Sequence, residues 1–164
     1  MTALALSGYD YPLLQPRSTG ASKCSHELDK IVKDTIIHLR QPETGHLRDS
    51  VYTELHNIFL ECSKENWDRY GAKPILHTAL IETYAFIFAL PVWVPNPEIA
   101  PEPTGEIGLE WGFGKDRVFV VSIKGNQSIA YAGLLGAGNR TRGIESYSEA
   151  IPRVIFESIK RVIR

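Results

Sequence analysis

Four carboxylates recur at every fourth position, Glu98, Glu102, Glu106 and Glu110, with no Lys or Arg between them. A divalent-cation site needs several hard oxygen ligands converging on one point, and carboxylates at this density are its raw material. Four-residue spacing would gather them on one side of a helix, but Pro101 and Pro103 exclude a helix here, so the four need not share a face. Within a strand, Glu106 and Glu110 fall on one side. The alternative reading is a solvated acidic edge, because charges blunt a sheet edge against unwanted pairing. No third ligand is held nearby in sequence, so no metal site and no cofactor is expected.

The other reactive residue types lack the spacing their chemistry needs. His26, His38, His46, His56 and His77 form neither an HExxH nor an H-x3-H pair, and Cys24 and Cys62 belong to no CxxC pair, so zinc and thioredoxin-like sites are not indicated. No serine sits in a G-x-S-x-G elbow, and no catalytic residue is assigned. Gly133, Gly136 and Gly138 precede Asn139-Arg140-Thr141-Arg142, an order in which glycines and arginines can cradle a phosphate. Neither a G-x-G-x-x-G order nor a Walker lysine is present, and no helix is expected to start there, so a wide hairpin loop presenting Arg140 and Arg142 is the reading.

The densest stretch is Glu65-Asn66-Trp67-Asp68-Arg69-Tyr70-Gly71-Ala72-Lys73-Pro74, a joint between two helical patterns. Read structurally, Asn66 or Asp68 closes a side-chain turn, Trp67 enters the core, and Gly71 takes a backbone conformation closed to other residues. Read functionally, Asp68, Arg69 and Tyr70 form an exposed recognition patch, since Trp, Tyr and Arg dominate binding hot spots. The stretch resembles a family of small uncharacterised bacterial proteins that carry an NWDGYGA-P-like segment, proline-rich sequence and then a GEI-LEW strand. The matching residues are Asn66, Trp67, Asp68, Tyr70, Gly71, Ala72 and Pro74, then Gly105, Glu106, Ile107, Leu109, Glu110 and Trp111. Arg69 stands where the pattern has Gly, which leaves a tight-turn role for that position open. The resemblance spans roughly residues 60 to 164 and implies a bacterial or phage origin, with no activity, cofactor or catalytic residue attached to it.

The elements that must position these residues follow from hydrophobic spacing. Residues 1 to 24 have no periodicity and read as an arm; residues 25 to 164 read as one domain. Leu28, Ile31, Val32, Ile36 and Leu39 have helical spacing, as do Val51, Tyr52, Leu55, Ile58, Phe59 and Cys62 in a second helix reaching about Lys64. Pro74 suits a helix start, which predicts a third and most buried helix over Ile75 to Leu90, stopped by Pro91. Prolines 91, 95, 97, 101 and 103 mark an extended connection. Ile107, Leu109 and Trp111 alternate with polar or small residues as a strand, Val118 to Ile123 reads as the central strand, Ile129 to Leu135 as a third, and Thr141 to Tyr147 as a possible fourth. Ile151 to Ile163 returns to helical spacing. The expectation is an α+β domain: N-terminal helices, an antiparallel β-meander of three to four strands, and a C-terminal helix packed on the sheet.

Eighteen Lys and Arg balance nineteen Asp and Glu, and 43% of the 164 residues are hydrophobic, the composition of a globular chain without a charge bias toward nucleic acid. The charge is nonetheless unevenly spread, with six basic against three acidic residues from Arg140 to Arg164 and the acidic run at 98 to 110. The longest apolar run, Thr83 to Val94, is too short for a membrane span, which needs about 20 residues. No basic residue precedes the apolar patch Ala3 to Leu6, so no signal peptide is read and a cytoplasmic location is expected. The function these features favour is a non-enzymatic cytoplasmic protein-interaction module of bacterial or mobile-element origin, antitoxin-, immunity- or anti-defence-like. Its partner is another protein or a second copy, met through Asp68, Arg69, Tyr70, Glu106, Glu110, Arg140 and Arg142. The alternatives are a small nuclease-like enzyme using Glu106, Glu110 and Lys124, and a regulatory nucleic-acid binder using Arg140, Arg142, Lys160, Arg161 and Arg164.

Overall fold

Val51, Leu55, Phe59 and Cys62 fall on one helical stripe, and this stripe is the buried face of the first described helix, α1 (Asp49–Cys62). A computed structural model of the chain describes residues 48–148 and 150–164. The expected arm over 1 to 24, the helix expected from Ser25, and Cys24, His26, His38 and His46 lie outside the described residues.

The second helix, α2 (His77–Ala89), buries Ala79, Leu80, Thr83, Tyr84, Phe86 and Ile87, a spread around most of its circumference. It starts at His77 and not just after Pro74. The intervening backbone is drawn into other bonds: the Lys73 N–H donates to the Pro103 carbonyl at 2.9 Å and the Ile75 N–H to the Cys62 carbonyl at 3.0 Å. Leu76 is accordingly extended, with φ −81° and ψ 149°. The far end behaves as the proline rule requires: Leu90, which precedes Pro91, leaves helical geometry at ψ 132°. The C-cap carbonyl of Leu90 and two carbonyls of the turn that follows are met by the buried Arg48, whose guanidinium donates to the oxygens of Leu90 (3.4 Å), Pro91 (2.9 Å) and Val94 (3.3 Å).

Five strands form one antiparallel meander in the order β1-β2-β3-β4-β5: β1 (Glu98–Pro101), β2 (Ile107–Gly112), β3 (Arg117–Ile123), β4 (Ser128–Leu135) and β5 (Arg140–Ser146). The α+β architecture matches the sequence reading; the strand number does not, being five among the described residues and not three to four. The additional strand is β1, inside the proline-rich connection. Its one proline, Pro101, is tolerated because among the described residues β1 is an edge strand paired with β2 alone, so a missing N–H on its outer side breaks no ladder.

Alternation gives the sheet two unlike faces. Ile99, Leu109, Trp111, Phe119, Val121, Ile123 and Ile129 are buried on one of them. The C-terminal helix, α3 (Arg153–Val162), packs there on β2, β3 and β4 through its buried Ile155, Ile159 and Val162. Trp111 is in the core, and its indole N–H donates to the Pro95 carbonyl at 2.9 Å. Trp67 is not a core residue: it is half-buried on the α1–α2 connection, its indole N–H donating to the Lys73 carbonyl at 3.0 Å. No helix among the described residues is long and apolar enough to cross a membrane.

Candidate functional site

The face of the sheet opposite the core is set by the hairpin registers. Glu98 pairs with Glu110, Glu110 with Val120, Val120 with Ala132, and Ala132 with Arg142, so these five residues form one row running straight across all five strands. On one side of that row lie Gly112, Val118, Leu134 and Arg140; on the other, Ala100, Gly108, Ser122, Ala130 and Ile144. Small and apolar residues therefore occupy the middle, carboxylates the β1–β2 side and guanidiniums the β5 side. Leu134 is 38% and Ile144 68% exposed, and Glu98, Glu110, Ala132, Arg140 and Arg142 are exposed as well.

The four carboxylates come together on this open face because the β1–β2 hairpin keeps even-numbered positions in step. The Gly105 N–H donates to the Glu102 carbonyl and the Glu102 N–H to the Glu106 carbonyl, both at 2.9 Å. Each carboxylate has a different neighbour. Glu102 lies over Gly108 and accepts a short hydrogen bond from the Ser122 hydroxyl. Glu106 pairs with the Lys124 ammonium at 2.9 Å. Glu98 and Glu110 face solvent side by side. Among the described residues no three His, Cys, Asp or Glu side chains are grouped so as to hold a metal ion.

The Asn66–Pro74 stretch is a loop that satisfies its own backbone. Asn66 has φ 60°, and its side-chain oxygen accepts the Gly71 N–H at 2.8 Å. The Asp68 carboxylate accepts the N–H groups of Tyr70 (2.7 Å) and Ala72 (3.0 Å). These bonds, that from Tyr70 first, hold the Asp68 carboxyl below the usual carboxylate range. Arg69 has φ 66°, and its N–H donates to the Asn66 carbonyl at 3.0 Å. Position 69 is thus a left-handed turn position, a conformation that glycine adopts without steric cost. Gly71, at φ 94°, has the special conformation expected of it.

The two halves of the NWDxYGA-P and GEI-LEW pattern meet in space. Lys73 donates to Pro103, and Gly105, at φ 90°, approaches Pro74 so closely that a Cβ would lie 2.8 Å from its carbonyl oxygen. Asn66, Trp67, Asp68, Gly71, Gly105 and Trp111 all have structural work in this joint or in the core. Tyr70 is the contrast: it is 94% exposed at the tip of a stiff loop, beside the exposed Arg69.

The structure thus places the residues singled out from sequence in two groups. Glu106, Glu110, Arg140 and Arg142 share the open face, with Glu106 tied to Lys124. Asp68, Arg69 and Tyr70 share the loop, with the carboxylate of Asp68 used by backbone N–H groups and the side chains of Arg69 and Tyr70 directed to solvent. Sequence reading missed Glu98, Val120, Ala132 and Ile144 as members of the same surface; the alternation of even positions from 98 to 110 was the available signal. Cys62 is buried, and burial pushes its thiol up toward the unreactive protonated form. No family model, curated protein or solved structure matches the chain.

Proposed function

We propose that the protein works by binding: a non-enzymatic, cytoplasmic protein-interaction module, of the kind that antitoxin, immunity and anti-defence proteins represent, with the open sheet face as its contact surface. One observation carries the reading. The row Glu98–Glu110–Val120–Ala132–Arg142 offers an apolar centre between edges of opposite charge. Such an arrangement provides burial at the centre and orientation at the rim, the division found in protein interfaces. Arg69 and Tyr70 add a second, smaller contact of hot-spot residue types.

The test is capture from the native host with the full chain as bait, comparing wild type, Ala132→Glu on the open face and Leu60→Glu on the helix layer. Leu60 is 57% exposed and serves as a surface control. The reading expects wild type and Leu60→Glu to recover the same partner and Ala132→Glu to lose it with its melting temperature maintained. Equal recovery by all three contradicts it.

A further inference from the structure

Within one copy the charged edges of the open face scarcely interact. Glu98 on β1 and Arg142 on β5 stand four strand spacings apart, about 19 Å, more than twice the Debye length of about 8 Å at physiological ionic strength. A second sheet stacked at about 10 Å brings opposite charges much nearer to each other than the first sheet's own edges are. Resting on the reading of this face as a protein contact, we propose that its occupant is a second copy of the chain, related by a two-fold axis lying between the sheets and parallel to the strands.

The symmetry follows from the row. Rotation about that axis leaves each residue at its level along the strands but reverses strand order, so β1 lies over β5 of the second copy and β3 over β3. Glu98 then faces Arg142 of the second copy, Arg142 faces Glu98, and Val120 meets Val120 at the centre. The one charge contact thus forms twice from a single surface. A two-fold axis running across the strands would instead lay β1 on β1 and set Glu98 and Glu110 against themselves, a like-charge arrangement that disfavours that dimer. Five strands at this spacing and about six residues of each give a footprint near 500 Å² per copy, or about 1,000 Å² in total, the lower bound for a specific interface. The dimer is therefore weak, in the micromolar range or above, and salt-sensitive.

Sedimentation velocity of the full chain, from micromolar to sub-millimolar concentration and at low and high salt, tests this with two opposed variants. Glu98→Lys with Glu110→Lys makes both ends of the Glu98–Arg142 row basic; Arg140→Glu with Arg142→Glu makes both ends acidic. Wild type should show a monomer–dimer equilibrium that weakens with salt, and each double variant alone should associate at least about tenfold more weakly. Their equimolar mixture should dimerise at least as well as wild type, since acidic then faces basic on both sides. Melting curves check folding, and Glu98→Gln with Arg142→Gln replaces any reversal that fails to fold; these should weaken association to a smaller degree.

A wild type that stays monomeric at sub-millimolar concentration and low salt overturns the proposal, as does a mixture that fails to associate. A dimer that persists unchanged in both variants also overturns it and points to edge pairing through β5. If wild type is monomeric while Ala132→Glu still abolishes capture of another protein, the second-copy inference fails and the interaction reading stands. If Ala132→Glu leaves capture intact as well, both fail.

Discussion

Replacing Arg69 with glycine should stabilise the protein. Arg69 has φ 66°, in the left-handed region, and is exposed, with no side-chain hydrogen bond or ion pair among the described residues to offset the backbone strain. A non-glycine residue in that region costs about 1–2 kcal/mol. Glycine removes this but returns roughly 0.4–1 kcal/mol through the greater freedom of the unfolded chain. The difference is a gain of about 0.5–1 kcal/mol, a rise in melting temperature of about 1–4 °C. Arg69→Ala keeps the strain and should lie within about 0.5 kcal/mol of wild type, as an unstrained surface change would. Gly71→Ala supplies the converse: a Cβ there meets nothing within 4 Å, so its effect is that of φ 94° alone, a loss of about 1–2 kcal/mol. Denaturant midpoints of the three variants, with m values compared, provide the measurement. An Arg69→Gly protein no more stable than Arg69→Ala refutes the assignment of position 69 as a strained turn position.

Gly105→Ala should destabilise by about 2–3 kcal/mol, since it combines φ 90° with a Cβ 2.8 Å from the Pro74 oxygen, and a thermal melt unchanged to within a degree contradicts the joint described between the two motif halves. Trp111→Ala should cost about 3–5 kcal/mol and Trp67→Ala clearly less, because only the former is a fully buried indole; equal denaturant shifts would put both in the same environment. The Asp68 carboxyl titrates lower folded than unfolded, so its stabilising contribution is complete above the unfolded value of about 4 and is lost as pH falls below that, through the folded value. Asp68→Asn should therefore be less stable than wild type at neutral pH, with the gap closing in acid; a gap constant from pH 7 to acid would show that the two N–H bonds do not depend on ionisation.

The legible parts of this fold were those whose signal is local. Val51, Leu55, Phe59 and Cys62 carry the helical period of α1 within a single element, and Ile107, Leu109 and Trp111 carry the alternation of β2 in the same way. What escaped depended on pairing between distant segments. Pro101 and Pro103 obscure β1 because a sequence does not reveal which strand lies at an edge, where proline does little harm. Pro74 suggested a helix start, but Cys62 and Pro103 claim the neighbouring N–H groups and delay α2 to His77. The carboxylates were visible as a run, yet their common face follows from the hairpin register that sets Glu98 opposite Glu110, which only the folded sheet supplies. Trp67 misled because an aromatic at the end of an apolar pattern has the same appearance whether it enters a core or braces a loop.

The open face as a contact surface is tested most directly by hydroxyl-radical footprinting of the complex the full chain forms, with itself at high concentration or with a captured partner. Leu134 and Ile144 report on the open face, and Leu60 and Leu76, 57% and 56% exposed, report on the surface outside it. The account predicts that oxidation of Leu134 and Ile144 falls on association while Leu60 and Leu76 react as before. Protection of Leu60 or Leu76 with Leu134 and Ile144 still fully reactive would contradict it.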